Sequence, residues 1–229
     1  MRGYYFITDA KLSRAGNLSD VQHAVAAGVE AVQYRRKDAS TAGLFAEAAA
    51  LRKLCHRTLF LVNDRVDIAL AVEADGVHLG REDLPLLAAR KLLGKGKTIG
   101  LTVHSLEEAR QAEAAGADYL GVSPIYTIQT KMDAGQPAGI QLIQQIKSAV
   151  KIPLVAIGGI NLANAPSVIR AGADGLCAIS AVVSRKDVRA KIEKYQRLFR
   201  QFNTPEPRPC DGLRIQSGLP SPRQNFHAP

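Results

Sequence analysis

Ala-Ala-Gly-Ala-Asp-Tyr-Leu-Gly (114–121) joins the end of a segment of helical composition to a short apolar run. Related joints recur at Ala-Ala-Gly-Val-Glu-Ala-Val-Gln (26–33), Val-Glu-Ala-Asp-Gly-Val-His-Leu (72–79) and Arg-Ala-Gly-Ala-Asp-Gly-Leu-Cys (170–177). In three of them a glycine stands where a helix ends and φ turns positive, namely Gly28, Gly116 and Gly172. A repeated joint from helix to strand predicts alternating helices and strands, and therefore a parallel α/β sheet.

Short apolar runs mark eight predicted strands, at 4–8, 31–34, 59–62, 76–79, 98–101, 119–122, 153–157 and 175–179. Segments of helical composition, such as 41–54 and 106–115, separate them. Eight such units in 229 residues predict a closed TIM (β/α)8 barrel, since these barrels typically contain about 250 residues. After about Phe202 the chain becomes rich in proline and glycine, so we expect a barrel domain over 1–202 and a disordered tail over 203–229.

Composition excludes several classes of protein. No apolar stretch approaches the ~20 residues of a membrane span, and the N-terminus enters a strand at once, which leaves no room for a signal peptide and predicts a cytoplasmic protein. The three cysteines form no C-x-x-C pair, so neither a disulfide framework nor a zinc site is indicated. The net charge of +9 is not accompanied by tryptophan or by basic runs with stacking aromatics. We therefore expect small-molecule partners, no nucleic acid and no membrane; a homo-oligomer is compatible with this sequence.

Polar groups follow the predicted strands, where every strand of a barrel opens onto the same rim. Gln33, Arg35 and Lys37 alternate along an extended segment and so face one side. Two cations and an amide on one face suit a pyrophosphate, because arginine forks two oxygens and lysine adds a point charge. A surface salt-bridge cluster with Asp38 or a neighbouring acid explains the same spacing equally well.

Carboxylates end the third predicted strand, at Asn63-Asp64, and follow the fourth, at Asp83. Neighbouring strands would bring them together, and two carboxylates in a phosphate site suggest Mg²⁺ completed by water and substrate oxygens. For either aspartate alone, capping of the following helix is the more common explanation.

The seventh and eighth strand exits carry Gly158-Gly159 and Ile179-Ser180. In many barrels the loops after these strands hold a phosphate on backbone N–H groups, and glycine permits the close approach. His78 and His104 also end strands, and we expect them to have hydrogen-bonded structural roles.

Six short motifs occur in a fixed order: Val-Gln-Tyr-Arg-Arg-Lys-Asp (32–38), Val-Asn-Asp-Arg-Val-Asp (62–67), Asp-Gly-Val-His-Leu-Gly (75–80), Gly-Val-Ser-Pro-Ile-Tyr (121–126), Gln-Thr-Lys (129–131) and Ala-Ile-Gly-Gly-Ile (156–160). Together they resemble the thiamine phosphate synthases over about residues 4–200. The resemblance implies a transferase that joins 4-amino-5-hydroxymethyl-2-methylpyrimidine diphosphate to 4-methyl-5-(2-phosphoethyl)thiazole, or its carboxylate, and releases pyrophosphate.

The resemblance also implies a role for each matching residue. Asp64 and Asp83 would hold Mg²⁺ against the diphosphate. The groups that would neutralise its oxygens are Arg35, Lys37, Asn63 and Lys131, of which the three cations would be catalytic. Gln33 would help to seat the pyrimidine, and Thr102 stands where the family usually has a serine that contacts the diphosphate. The positions around the thiazole phosphate are Thr130, Gly159, Ile179 and Ser180.

One position departs from the family pattern. Where the family commonly has Pro-Thr-x-Thr-Lys, this chain has Thr-Ile-Gln-Thr-Lys (127–131), so one hydroxyl is missing or is supplied by Thr127. Two alternatives therefore stay open at this point: a related thiazole tautomerase, which needs no Mg²⁺–diphosphate site, and a catalytically idle barrel that binds thiazole phosphate. The residues whose retention speaks against the tautomerase are Gln33, Arg35, Lys37, Asn63, Asp64, Asp83 and Lys131.

Overall fold

The computed structural model describes residues 1–127 and 136–203. Its strands are β1 (Gly3–Tyr4), β2 (Phe6–Ile7), β3 (Ala31–Tyr34), β4 (Leu59–Asn63), β5 (Gly76–Leu79), β6 (Thr98–Val103), β7 (Tyr119–Val122), β8 (Leu154–Ile157) and β9 (Gly175–Cys177). Its helices are α1 (Asn17–Ala26), α2 (Thr41–Leu54), α3 (Val66–Ala71), α4 (Leu86–Leu93), α5 (Leu106–Ala114), α6 (Gly139–Ala149), α7 (Ala165–Arg170), α8 (Ile179–Val183) and α9 (Val188–Asn203).

All strand pairs are parallel, in the order β1-β9-β8-β7-β6-β5-β4-β3-β2. Only Tyr5 separates β1 from β2, and these two segments pair with β9 and β3 respectively. They are therefore one interrupted strand that closes the ring, and the described residues form an eight-stranded barrel. The predicted (β/α)8 fold is confirmed.

Two predicted strands differ from the structure. The first strand is interrupted at Tyr5, because β1 pairs with β9 and β2 pairs with β3. The last strand stops at Cys177 rather than 179, because Ile179 already begins α8. The other predicted strands agree with the structure to within two residues at each end.

Side chains of the first strand alternate between two apolar layers. Tyr4 and Phe6 pack between the sheet and the surrounding helices, in the larger cluster. Tyr5 and Ile7 point into the barrel, where a smaller cluster is completed by Ala31, Leu61, Tyr119, Val155 and Cys177. The interior is a packed core below the rim, so a substrate has to bind at the rim.

The recurring joint has the same structure wherever it occurs. Gly28, Gly116 and Gly172 have φ of 75°, 89° and 103°, as predicted. The acidic residue just before each following strand accepts a backbone N–H from the beginning of the neighbouring strand. These contacts join Glu30 to Arg2, Asp75 to Phe60, Asp118 to Ile99 and Asp174 to Leu154, at 2.7, 2.7, 2.7 and 2.9 Å. The joints therefore stabilise the amino-terminal end of the barrel, remote from the rim.

Within the described part of the chain, no helix is both long enough and apolar enough to cross a membrane. Cys55 and Cys177 are buried free thiols. The predicted tail lies outside the described residues apart from Asn203, which ends α9. The division into a barrel over 1–202 and a tail over 203–229 therefore stays a prediction.

Candidate active site

The segment that follows β3 places alternate side chains on opposite sides of the sheet. Gln33 is buried inside the barrel, and its Nε2 donates to the Tyr5 hydroxyl at 2.8 Å. Lys37 reaches the neighbouring strand exit, where its Nζ lies 3.2 Å from Asp64 Oδ2. Arg36 turns outward and pairs with Glu47 of α2 and with Asp38. Salt bridges of the alternative explanation therefore form on Arg36 and on Lys37, whereas Gln33 and Arg35 form none among the described residues.

Arg35 is fixed through its backbone. Its N–H donates to the Thr8 hydroxyl at 2.8 Å, and that hydroxyl donates to the Arg35 carbonyl at 3.1 Å. Thr8 is fully buried, so it fastens the end of β2 to the beginning of the basic segment. Within residues 1–127 and 136–203 the half-buried Arg35 guanidinium forms no ion pair.

Asp64 occupies a tight turn directly after β4. Its φ is 63°, and Arg65 N–H donates to the Asn63 carbonyl across it at 2.7 Å. A positive φ is uncommon outside glycine, but aspartate and asparagine tolerate it better than other residues do. The turn is also held by the Asp64 N–H, which donates to the His78 carbonyl at 2.9 Å.

Neither candidate metal ligand caps a helix. α3 and α4 begin after Arg65 and Pro85, and no side chain caps either helix. Asp83 Oδ2 accepts the Gly80 N–H at 2.6 Å, which closes the loop after β5. The capping explanation is therefore wrong for both Asp64 and Asp83, and their carboxylates are available at the rim.

The two carboxylates are close enough to affect each other. The pKa of Asp64 is raised to about 6, chiefly by burial and further by the hydrogen bond and negative charge of Asp83, while Lys37 acts in the opposite direction. No group of three or more His, Cys, Asp or Glu residues that could hold a metal occurs in the described part of the chain. A pair of crowded carboxylates fits Mg²⁺, which takes one or two protein carboxylates and fills its octahedron with water and phosphate oxygens.

Three further polar contacts run through the barrel below this rim. Tyr5 and Tyr119 join their hydroxyls at 2.8 Å, and the Tyr119 hydroxyl lies 2.7 Å from His78 Nδ1. His78 Nε2 lies 2.8 Å from Thr102 Oγ1. Burial lowers the pKa of His78 to about 4, so the ring is neutral at pH 7. The predicted hydrogen-bonded role of His78 is confirmed, as is that of His104, whose Nδ1 lies within hydrogen-bond distance of the Ser123 carbonyl.

The sequence did not single out Tyr5 and Tyr119. A signal was present in the glycines of β6 and β7, which lie inside strands where glycine is unfavourable unless something approaches closely. A Cβ on Gly100 would lie 2.0 Å from the Tyr119 ring, and one on Gly121 would lie 2.9 Å from His78 Cε1. Both glycines therefore make room for the interior rings.

The opposite side of the rim is formed by the loops after β8 and β9. Gly158 and Gly159 have φ of 102° and 66°, and a Cβ on Gly159 would lie 2.6 Å from Tyr126 Cβ. Ile179 is half-buried and packs on the interior cluster, while Ser180 is exposed. Gly159 thus lets the loop after β7 pass closely over the loop after β8.

The remaining candidates have different positions. Asn63, at the end of β4, is paired in register with His78, and Thr102 is half-buried near the end of β6. Thr130 and Lys131, together with Ile128, lie outside the described residues. The structure thus brings Gln33, Lys37, Asp64, Asp83 and Thr102 to one side of the barrel, and the contacts of all candidate residues with substrate or metal stay predictions.

This fold and this rim define a class: (β/α)8-barrel enzymes with basic and acidic side chains at the carboxyl ends of their strands. The sequence model of the family described as thiamine monophosphate synthase matches residues 4–182. The chain belongs to this family, and it is a transferase.

Individual relatives are similar to this chain over most of their length. The thiamine-phosphate synthase of Methanosarcina barkeri is 51% identical over 199 residues, which cover 86% of this chain and 90% of that protein. The thiamine-phosphate synthase of Chloroflexus aurantiacus is 49% identical, with 85% and 91% covered. The solved structure of thiamine phosphate pyrophosphorylase from Pyrococcus furiosus superimposes with a TM-score of 0.81 at 41% identity, covering 88% of this chain and 96% of that one.

Proposed function

We propose that the protein joins 4-amino-5-hydroxymethyl-2-methylpyrimidine diphosphate to 4-methyl-5-(2-phosphoethyl)thiazole, or its carboxylate, and forms thiamine phosphate and pyrophosphate. The observation that carries this proposal is the ion pair between Lys37 Nζ and Asp64 Oδ2, 3.2 Å apart, next to Asp83. A cation next to two carboxylates suits a metal-bound diphosphate, because Asp64 and Asp83 would hold the metal and Lys37 would neutralise part of the diphosphate charge.

Asp64 and Asp83 would hold Mg²⁺ at this rim. When bound, the ion would neutralise part of the diphosphate charge and thereby make the diphosphate a better leaving group. Burial raises the pKa of Asp64 most and the nearby Asp83 raises it further, and a divalent cation would relieve the repulsion between the two carboxylates. A bound Mg²⁺ would therefore explain why a site for an anion contains two carboxylates.

In the proposed reaction the C–O bond between the pyrimidine methylene and the diphosphate breaks, and the diphosphate leaves with the electron pair. The thiazole nitrogen then forms the C–N bond with its lone pair. Arg35, Lys37 and Lys131 would stabilise the charge that accumulates on the leaving oxygens. The attacking nitrogen has no proton to lose, so no general base is needed and no Ser-His-Asp arrangement is expected.

The other candidates would arrange the two substrates. Gln33, Asn63 and Thr102 lie on the side of Asp64 and would bind the pyrimidine diphosphate. Thr130, Gly159, Ile179 and Ser180 would surround the thiazole phosphate on the other side of the rim. A cytoplasmic location and a homo-oligomeric state stay predictions.

The test is to mix the purified protein with both substrates and Mg²⁺ and to follow thiamine phosphate as its fluorescent thiochrome. Product that disappears with EDTA and returns with added Mg²⁺ would support both the reaction and the metal. Absence of product, with binding of the thiazole phosphate retained, would refute the synthase and support the idle barrel. Isomerisation of a thiazole phosphate carboxylate without Mg²⁺ would instead support the tautomerase, which the paired carboxylates argue against.

A further inference from the structure

A continuous series of hydrogen bonds crosses the barrel interior and connects five strands. It runs from Gln33 to Tyr5, then to Tyr119, to His78 and finally to Thr102, with successive separations of 2.8, 2.8, 2.7 and 2.8 Å. All members except Thr102 are at least 95% buried. Water cannot readily replace such contacts, so the direction in which each hydrogen points is determined by the members themselves.

The first member sets the direction of the series. Gln33 Nε2 can only donate, so the Tyr5 oxygen accepts from it. The Tyr5 hydrogen then has the Tyr119 oxygen as its partner, and the Tyr119 hydrogen goes to His78 Nδ1. In the reverse direction Tyr119 would donate to Tyr5, and the Tyr5 hydrogen would be left buried without an acceptor among the described contacts. That arrangement is unfavourable, because a buried donor without a partner loses its hydrogen bond to water.

This direction fixes the state of His78. Its Nδ1 accepts from Tyr119 and therefore carries no hydrogen, so the single hydrogen of the neutral ring is on Nε2. The Nε2–H then donates to the Thr102 oxygen.

The space for this arrangement is provided by the strands themselves. Gly100 and Gly121 lack the Cβ atoms that would collide with the rings of Tyr119 and His78. Neither glycine has a positive φ, so the backbone does not require glycine at either position. Glycine is required at both positions because the rings of Tyr119 and His78 lie so close to the backbone. The two strands are therefore shaped to hold these rings, which argues against incidental contacts.

Because Thr102 accepts from His78, its own hydroxyl hydrogen points elsewhere. Thr102 is half-buried near the end of β6, on the rim side of His78. We propose that Gln33, Tyr5, Tyr119 and His78 act in series to hold Thr102 as a hydrogen-bond donor to an oxygen of the bound diphosphate. This inference rests on the proposed function. Tyr5, Tyr119 and His78 are then positioning residues, which act on the substrate through Thr102.

A donor fixed in this way contributes most when charge develops on the leaving oxygen, since no reorientation is needed at that moment. Thr102→Val should therefore lower kcat roughly tenfold or more, whereas Thr102→Ser, which keeps the hydroxyl, should stay close to the wild type. Tyr119→Phe removes the donor to His78 Nδ1 together with the acceptor of the Tyr5 hydrogen, and it should lower kcat in the same direction.

The first experiment tests the direction without any turnover. ¹⁵N-labelled protein, free of substrate, is studied by NMR correlations between ring nitrogens and ring hydrogens, with His78 assigned by His78→Gln. We expect a protonated Nε2 and a bare Nδ1 at pH 7. A protonated Nδ1, alone or together with Nε2, would overturn the proposal.

The second experiment is a double-mutant cycle with Tyr119→Phe and Thr102→Val. If Tyr119 acts through Thr102, the double variant should have the kcat of Thr102→Val alone. Losses that multiply would overturn the proposal, because they would mean that Tyr119 acts by another route.

The matched control is Tyr195→Phe, in a buried tyrosine of α9 that packs on Tyr4 outside the barrel interior. It should leave kcat unchanged. A wild-type protein without turnover would refute the proposed function, and the NMR measurement alone would then decide the direction of the series.

Discussion

The Lys37 ammonium lies 3.2 Å from the Asp64 carboxylate, across the gap between the ends of β3 and β4. The side chain of Lys37 is 63% exposed, whereas that of Asp64 is 22% exposed. The contact therefore joins a cation that can move toward a ligand to a carboxylate held in a tight turn. A bound diphosphate would compete with Asp64 for the Lys37 ammonium, and its metal would compete with Lys37 for the Asp64 carboxylate.

Asp64→Asn should lower thiamine phosphate formation by about 10²–10³-fold, a loss typical of removing one group that stabilises developing charge. Asparagine tolerates the φ of 63° at this position, so the fold should be retained. Circular dichroism checks the fold, and the thiochrome assay measures the rate. Asp67→Asn, in an exposed aspartate paired with Arg65, is the control and should stay active. Wild-type turnover in Asp64→Asn would sink the metal assignment.

Mg²⁺ affinity should fall as the pH drops below about 6, because protonation of Asp64 removes one of the two carboxylates. Lys37 lowers the pKa of Asp64, so Lys37→Met should move the midpoint of this fall to higher pH. Titration calorimetry with Mg²⁺ at several pH values measures the effect, with Lys91→Met on α4 as the control. A midpoint that does not move would show that Lys37 is not coupled to the metal site.

His78 should make the protein less stable in acid. Its pKa is about 4 in the folded protein, against 6.5 for the ordinary side chain. The unfolded chain therefore binds the extra proton first. The stability due to the neutral ring is complete above about pH 6.5 and is lost as the pH falls toward 4, by at most about 3 kcal/mol.

Urea unfolding of the wild type and of His78→Gln between pH 4 and 7 tests this expectation. The wild type should lose more stability over this interval than the variant does. His56→Gln, in an exposed histidine, should follow the wild type. Parallel curves for the wild type and His78→Gln would contradict the buried neutral ring.

Gly100→Ala should destabilise the barrel by about 1–3 kcal/mol, the usual cost of overpacking a filled core. The new methyl would lie 2.0 Å from the Tyr119 ring, which is enclosed on all sides. The midpoint of urea unfolding measures the change. Gly96→Ala is the matched control, because a Cβ there has open space. Equal midpoints for the two variants would mean that Tyr119 can move aside at little cost.

Much of the fold could be predicted from the sequence, because strands of a closed parallel barrel are short apolar runs separated by helices. β3, β5 and β7 fall on the predicted ranges, and α2 covers 41–54 as expected. The grouping of Lys37 with Asp64 also followed from the rule that all strand exits meet at one rim. Local pattern and topology were sufficient for these features.

The interior series of polar contacts could not be predicted in the same way. Tyr5 and Tyr119 are 114 positions apart in the chain, and their contact depends on the stagger between distant strands. The roles of Asp64 and Asp83 were ambiguous for another reason, since an aspartate after a strand is suited to capping and to metal binding alike. The positions of the following helix starts exclude capping, and metal binding stays a proposal.

The acidic residues of the recurring joint lie before β3, β5, β7 and β9, which are alternate strands of the ring. Each accepts an N–H from the strand before it, so the barrel consists of four quarters, each a pair of strands fastened by one carboxylate. Among the described residues, the strand exits at the opposite end carry different side chains and show no such repetition. The contacts that stabilise the barrel thus repeat around its amino-terminal end, whereas the side chains suited to chemistry differ from strand to strand at the rim. A substitution at the rim can therefore change which substrate binds without breaking any of the four carboxylate contacts.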